Sequence, residues 1–320
     1  MKSIPGWRRL LQSLFLLWGV LTLMFFLIHL SPGDPTDRYL SPRVPPETIA
    51  TMRRQFGFDQ PLPVQYVKWL RQWLQADWGY SLTQHRPVAA VLAEAIPATL
   101  QLTLPVLLLN FVLGILLGAV AAFYRHRSLD HLLSNSALAV YCMPSFWLGL
   151  ILILVFALKL GWLPSSHASS LFAENRDTLA VLKDRLAHLL LPVLTLTLSG
   201  AAATARYVRE NLINALESNF IRLARATGLT PMQVMIRHAL PHTLLPLISL
   251  LGLSFPFLLG GAFITEIIFA WPGMGRVTFE AVFSRDYPVV LAATGLSAAM
   301  VIAGNLIADM LYRFADSRIR

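Results

Sequence analysis

Cut at every Asp, Glu, Lys and Arg, the chain leaves six uninterrupted windows of at least 20 residues, at 10–33, 95–124, 131–158, 186–205, 238–265 and 287–308. Each is long enough to cross a hydrocarbon layer of ~30 Å as a helix. Lipid offers no partner to backbone N–H and C=O groups, so a spanning segment must close its own hydrogen bonds, and apolar windows of this length do so as helices and not as a barrel. The predicted fold is all-α and integral to a membrane, with six transmembrane helices. Composition agrees: 13% of the residues are charged, against roughly 25% in a soluble domain.

Lys2, Arg8 and Arg9 before the first window resemble the start of a secretory signal. The apolar run is longer than the 7 to 15 residues typical of a cleaved signal and no small-x-small site follows, so a retained helix is expected. Six spans put both termini on one side. That side carries 13 Lys plus Arg against 5 Asp plus Glu, and the other carries 13 against 12. By the positive-inside rule the termini are expected in the cytoplasm. The net charge of +9 is then a topology signal. A nucleic-acid footprint would need a basic stripe with interleaved aromatics, and none lies outside these loops. The single cysteine, Cys142, has no partner in the chain for a disulfide.

Residues 31–94 form a long outer segment, which opens SPGDP, continues SPRVPPE and then turns helical in VQYVKWLRQWLQADWG. There Tyr66, Trp69, Leu70, Trp73 and Leu74 recur at three- and four-residue steps, opposite Lys68, Arg71 and Gln72. That spacing predicts an amphipathic helix packed on the outer face of the bundle. The chain divides at 94/95 into this N-terminal part, with its one span, and a five-helix core. Pro144 is expected to kink or break the third span, and Pro105, Pro192, Pro246 and Pro256 to act likewise elsewhere.

The inner loop between the fourth and fifth windows holds about 30 residues, more than a turn requires. Leu216, Phe220, Leu223 and Ala224 fall on one helical face and Ser218, Arg222 and Arg225 on another. Gly228 supplies a C-terminal stop. Thr230 and Pro231 then read as N-cap and first-turn proline of a second helix, which Pro241 is expected to end. Two short helices at a sharp corner, with an exposed aromatic and an arginine rim, suit a protein partner.

RLARATGL (222–229) and ALPHTLLP (239–246) resemble the EAA loop of permease subunits in ABC importers. The general pattern is Glu-Ala-Ala, three residues, Gly, nine residues, Ile, any residue, Leu-Pro. Arg222, Leu223 and Ala224 stand at the first places, Gly228 at the glycine, His238 at the isoleucine, and Leu240 and Pro241 at the end. The RTARAKGL version of the dipeptide, oligopeptide and nickel branch fits better, with Thr227 where lysine is usual. HLSPGDP, DQPLPVQYVKWL, DWGYSL, LLGGAFITEIIFAWPGMGR and the ending DMLYRFADSRIR are similar to the same branch, over nearly the whole length.

The resemblance implies a MetI-like core at 95–320 forming half of a pore in the bacterial inner membrane. Its implied partners are a homologous second permease, one or two ABC ATPase subunits and a periplasmic solute-binding protein. It implies uptake of dipeptides or short oligopeptides, with nickel or antimicrobial peptides as alternatives. An ATP-independent carrier or channel is the rival class. The chain has no G-x-x-x-x-G-K-[ST] loop, so it is expected to be non-catalytic and to hold no cofactor. Energy must arrive by contact. The helix at 220–227 is expected to sit in an ATPase groove, anchored by Phe220 and Leu223 and rimmed by Arg222 and Arg225. Ala224, Gly228, Leu229 and Pro241 complete the coupling set.

Glu266, at the outer end of the fifth window beside Trp271, Pro272, Gly273 and Gly275, is costly at that depth unless paired or near water. The resemblance places it in a gate or binding-protein docking surface; an ion pair with Arg276 or Arg285 is the structural alternative. His238 and His242 have metal-ligand spacing but no third ligand, so packing is expected. Asn110 and Asn305 are assigned to interhelical hydrogen bonds, Asp34 to capping, Asp309 to the inner interface, and Cys142 to Phe146 to the transport pathway.

Overall fold

The computed structural model describes residues 6–30, 60–170, 177–255, 257–258 and 262–315. Asp34, Pro256, the SPGDP and SPRVPPE stretches, the last five residues and the side chain of Asp309 lie outside the described residues. Among those described, the chain is helical, with one isolated bridge between Tyr80 and Pro87. Helix α1 covers Gly6–Leu30 and α2 Leu62–Leu74. Three long helices follow the apolar windows: α3 (Val88–Phe123), α6 (Thr178–Leu216) and α12 (Tyr287–Ala315). The remaining windows are bent. α4 (Ser128–Cys142) and α5 (Ser145–Leu152, continued by a π-helical Ile153–Lys159) meet at 103°. Between α6 and the fifth window come α7 (Asn219–Ala226) and α8 (Pro231–Val234). A π-helical Met235–Ala239 leads from α8 into α9 (Leu240–Ser254), and α10 (Phe263–Ile268) and α11 (Met274–Phe283) precede α12.

By length and apolarity, three described helices can cross a membrane, or five if each bent pair counts as one span. The apolar part of α1, Leu11–Leu27, is shorter than the ~20 residues of a straight crossing. The six windows thus fall on three continuous helices, two bent helix pairs and α1.

Prolines act according to what precedes them. α3 runs on through Pro97 and Pro105, and α6 through Pro192, since packed neighbours tolerate the lost hydrogen bond. At Pro144 the preceding Met143 is extended, with ψ 132°, the conformation a following proline ring favours, and the helix breaks. Pro241 departs from expectation. It does not end the second elbow helix, because the π-helical turn lets the chain pass from α8 into α9 with Pro241 in the first turn of α9, where its missing N–H costs least.

α3 and α6 pack at backbone distance. A Cβ on Gly118 would come within 2.5 Å of the Ala205 carbonyl oxygen, and one on Gly114 within 2.5 Å of Thr204. Thr204 Oγ1 donates to Asn110 Oδ1 at 2.8 Å, the interhelical bond expected of that asparagine. Asn305 is exposed and has no hydrogen-bond partner among the described residues. α2 lies on α1 through Tyr66 and Trp69, whose rings are 5.4 and 5.3 Å from Phe25, while Leu74 points away and is exposed.

The 36 residues of α3 make a strut of about 54 Å. At one end Val88, Leu92 and Ala95 pack with Met274, Ala281 and Val289. At the other, Ala122 packs with Val208, Leu212, Ile221, Val234 and Ala239. The elbow and the α10–α11 hub therefore occupy opposite ends of the molecule.

Candidate functional site

The elbow begins where Ser218, extended at ψ 157°, interrupts the helical path after α6. α7 buries two side chains, Ile221 and Ala224, and turns Arg222 and Arg225 outward. Leu223 is 70% exposed and Phe220 41%. The periodicity named Leu223 and Ala224 as one face; packing separates them, and Ile221 takes the inward place.

Gly228 has φ +83°, the left-handed region where a Cβ costs roughly 1–2 kcal/mol. Its N–H donates to the Arg225 carbonyl at 3.1 Å, closing α7. Thr230 then opens α8 with a capping box: the Gln233 N–H donates to Thr230 Oγ1 at 3.3 Å, and Gln233 Oε1 accepts from the Thr230 N–H at 3.0 Å. Leu229 packs, half-buried, into the cluster around Ile221. The Phe220 ring lies 4.6 Å from that of His242, tying α7 to the exposed first turn of α9, where Pro241 sits. Among the described residues no three His, Cys, Asp or Glu are placed to hold a metal.

At the other end Glu266 is fully buried. Oε1 accepts from Thr99 Oγ1 at 3.1 Å and the Ala262 N–H at 3.3 Å, and Oε2 from the Arg276 N–H at 3.0 Å; the Gly275 N–H also donates to the carboxylate. The Thr99 hydroxyl accepts in turn from the Met274 N–H at 2.7 Å, and Trp271 Nε1 donates to the Ala98 carbonyl at 2.7 Å. A Cβ on Gly273 would stand 2.5 Å from both Glu266 Oε2 and Thr99 Oγ1, and one on Gly275 2.8 Å from Phe263 Cα. The Arg276 guanidinium pairs instead with Glu280, so in place of the ion pair named as the structural alternative the carboxylate takes backbone donors and the Thr99 hydroxyl. The carboxylate fastens the WPGMG turn onto α3, and of the residues grouped with it only Pro272 is exposed.

The family described as binding-protein-dependent transport system inner membrane component matches residues 114–320, and its N-terminal counterpart matches residues 7–103. The chain belongs to this family. Among curated relatives, the permease is 36% identical over 313 residues to the oligopeptide transport system permease protein AppB of Bacillus subtilis, with 98% of each chain covered. It is 36% identical to the glutathione transport system permease protein GsiC of Escherichia coli K12, over 98% of this chain and 97% of that one. Among solved structures, an inward-facing MetNI methionine ABC transporter gives a TM-score of 0.55 at 19% identity, over 71% of this chain and 97% of that one, a likeness of fold. The permease is thus a multi-pass inner-membrane protein.

Two clasps of the permease lay beyond sequence reasoning. Arg209 grips the buried Asp130 with both arms of its fork, Nε to Oδ1 at 2.6 Å and Nη2 to Oδ2 at 2.8 Å, joining α6 to α4 near the elbow. At the hub end the buried Asp286 accepts from Ser81 Oγ at 2.5 Å and from Thr83 Oγ1 at 2.8 Å, joining the DWGYSL stretch to the α11–α12 corner. The available signal was the cost of a carboxylate beside a long apolar window; the partners, 79 and 205 residues away, carry no local mark.

Proposed function

We propose that the chain forms half of the pore of an ATP-driven importer for dipeptides or short oligopeptides, and that the elbow receives the stroke of a partner ATPase. The observation that carries this is α7: Ile221 and Ala224 fix it to the core while Phe220, Leu223, Arg222 and Arg225 stand outside. Apolar anchors rimmed by arginine are the composition of a binding hot spot. The helical path from α8 through Met235–Ala239 into α9 connects that contact to the membrane-embedded part, so a push on α7 tilts α6 and α9 together. The names of the relatives support a peptide cargo. In this reading both termini and the elbow are cytoplasmic, as the arginine-rich loops favour. The partners are a homologous second permease, one or two ATPase subunits that carry out all ATP hydrolysis, and a periplasmic solute-binding protein docking near the WPGMG turn. Residues 1–94 form an accessory span and outer segment on the five-helix core of 95–320.

Gly228→Val tests the coupling. A Cβ there meets nothing within 4 Å, so the effect falls on the backbone of the corner, held at a left-handed φ of +83°. Peptide uptake by cells carrying the variant is expected to collapse while the protein remains in the membrane. Unchanged uptake would remove the elbow from the mechanism.

A further inference from the structure

Between α4 and α6 runs an open groove of about 710 Å³, bordered by Asn135, Tyr141, Arg206, Tyr207, Glu210 and Asn214; Tyr207 is half-buried and the other five are exposed, and the volume is within the usual size of a small-molecule site. A smaller apolar cleft of about 180 Å³ adjoins it, walled by Leu113, Leu117, Leu133, Val140 and Leu198. Ser134, Arg206 and Arg209 border both spaces. The charges at this junction are not equivalent. Arg209 is committed to Asp130 and Arg125 to Glu217. Arg206 lies over the Tyr141 ring, 5.4 Å from its centre, and has no carboxylate partner among the described residues. Glu210, four residues further along the same helix, makes no ion pair among them; its charge acts on the neighbouring Arg209, whose guanidinium is held by Asp130.

We propose that this groove is a subsite for a zwitterionic short peptide, with Arg206 taking its carboxylate and Glu210 its ammonium group. Residues four apart on a helix share one face, with Cβ atoms about 5–6 Å apart, and an extended dipeptide spans at most about 7 Å, a match in scale between the pair and one molecule. The Asn135 and Asn214 amides supply a donor and an acceptor each for the peptide bond, and the apolar cleft receives one side chain. The inference rests on the peptide-import reading and extends it: α6 carries both the subsite and the elbow, so a shift of the elbow moves Arg206 and Glu210 against α4.

The test uses the full chain in its assembled complex, without the binding protein, in phosphatidylcholine nanodiscs. The probe is a dipeptide of alanine and a diazirine-bearing leucine analogue, photolysed and mapped by mass spectrometry. Labelling is expected on α4 and α6 around Tyr141 and Tyr207, protected by free dialanine but not by its C-terminal amide, its N-acetyl form or inorganic phosphate. Arg206→Gln and Glu210→Gln should each lower labelling about tenfold, the worth of one charge-assisted hydrogen bond. Arg127→Gln, whose guanidinium likewise covers a tyrosine ring but borders neither space, should leave it unchanged. Labelling elsewhere, labelling indifferent to the first two variants, or protection by phosphatidylglycerol and not by dialanine overturns the subsite. ATP-dependent uptake of the same dipeptide by cells separates the two readings: normal uptake with failed labelling rejects the subsite alone, and absent uptake rejects the import function.

Discussion

Leu223 and Ile221 sit two positions apart on α7 and should fail in opposite ways. Full burial of a leucine side chain contributes about 1.5–3 kcal/mol. Since 70% of Leu223 is still exposed, most of that, about 1–2 kcal/mol, is left for a partner to supply. Leu223→Ala should weaken retention of the ATPase about 5- to 30-fold while changing the permease's own stability by less than about 0.5 kcal/mol, as for other surface substitutions. Ile221 has no exposed surface, so Ile221→Ala should cost about 2–5 kcal/mol of folding stability through the lost burial and the cavity left behind. The assay pairs thermal unfolding of the purified chain in detergent with titration of the ATPase onto it. A Leu223→Ala chain that unfolds early and binds normally would refute the assignment of faces, and with it the contact on which the coupling proposal depends.

Gly273→Ala should destabilise the outer hub by about 2–3 kcal/mol, because the added methyl meets Glu266 and Thr99 oxygens that five hydrogen bonds hold in place; a melting temperature equal to the parent's would contradict this. Gly228→Asn should retain most of the uptake that Gly228→Val loses, since asparagine tolerates the left-handed region, and equal loss in both would locate the defect outside the backbone. Arg209→Leu should cost about 2–3 kcal/mol by leaving the Asp130 carboxylate buried, less than a fully buried pair because Arg209 is partly exposed. Recovery in Asp130→Asn/Arg209→Leu, read by thermal unfolding, separates a stranded charge from lost packing.

Features encoded over a few residues were legible. Six charge-free windows announced the helices, and Gly228, Thr230 and Pro231 announced the corner, because a left-handed stop, an N-cap and a first-turn proline each act within one turn of chain. The inward face of α7 was not legible: the pattern sets Phe220, Leu223 and Ala224 opposite Arg222 and Arg225, but the side that packs inward is the neighbouring one, with Ile221 and Ala224, and only tertiary contacts decide between them. The run through Pro241 was hidden for a related reason, since a proline's effect depends on whether the preceding turn widens. The role of Glu266 was half legible. Its cost flagged it, but its donors come from Thr99 and from the turn it folds, a loop that exists only once the carboxylate is in place.

The corner between α4 and α5 reaches beyond its own geometry. At the end of α4 the Val140 carbonyl accepts from the Met143 N–H at 3.1 Å, but the chain then meets Pro144 and α5 sets off at 103° to α4, so the amides that would have capped the last carbonyls beyond it are missing or turned away. Tyr141 and Cys142 beside them are exposed. Hydrocarbon cannot solvate a bare carbonyl, so this corner, inside an apolar window, must look onto water or another polypeptide. A gap in one helix's hydrogen bonding thus fixes a direction around the molecule: on that side the bilayer stops being the solvent.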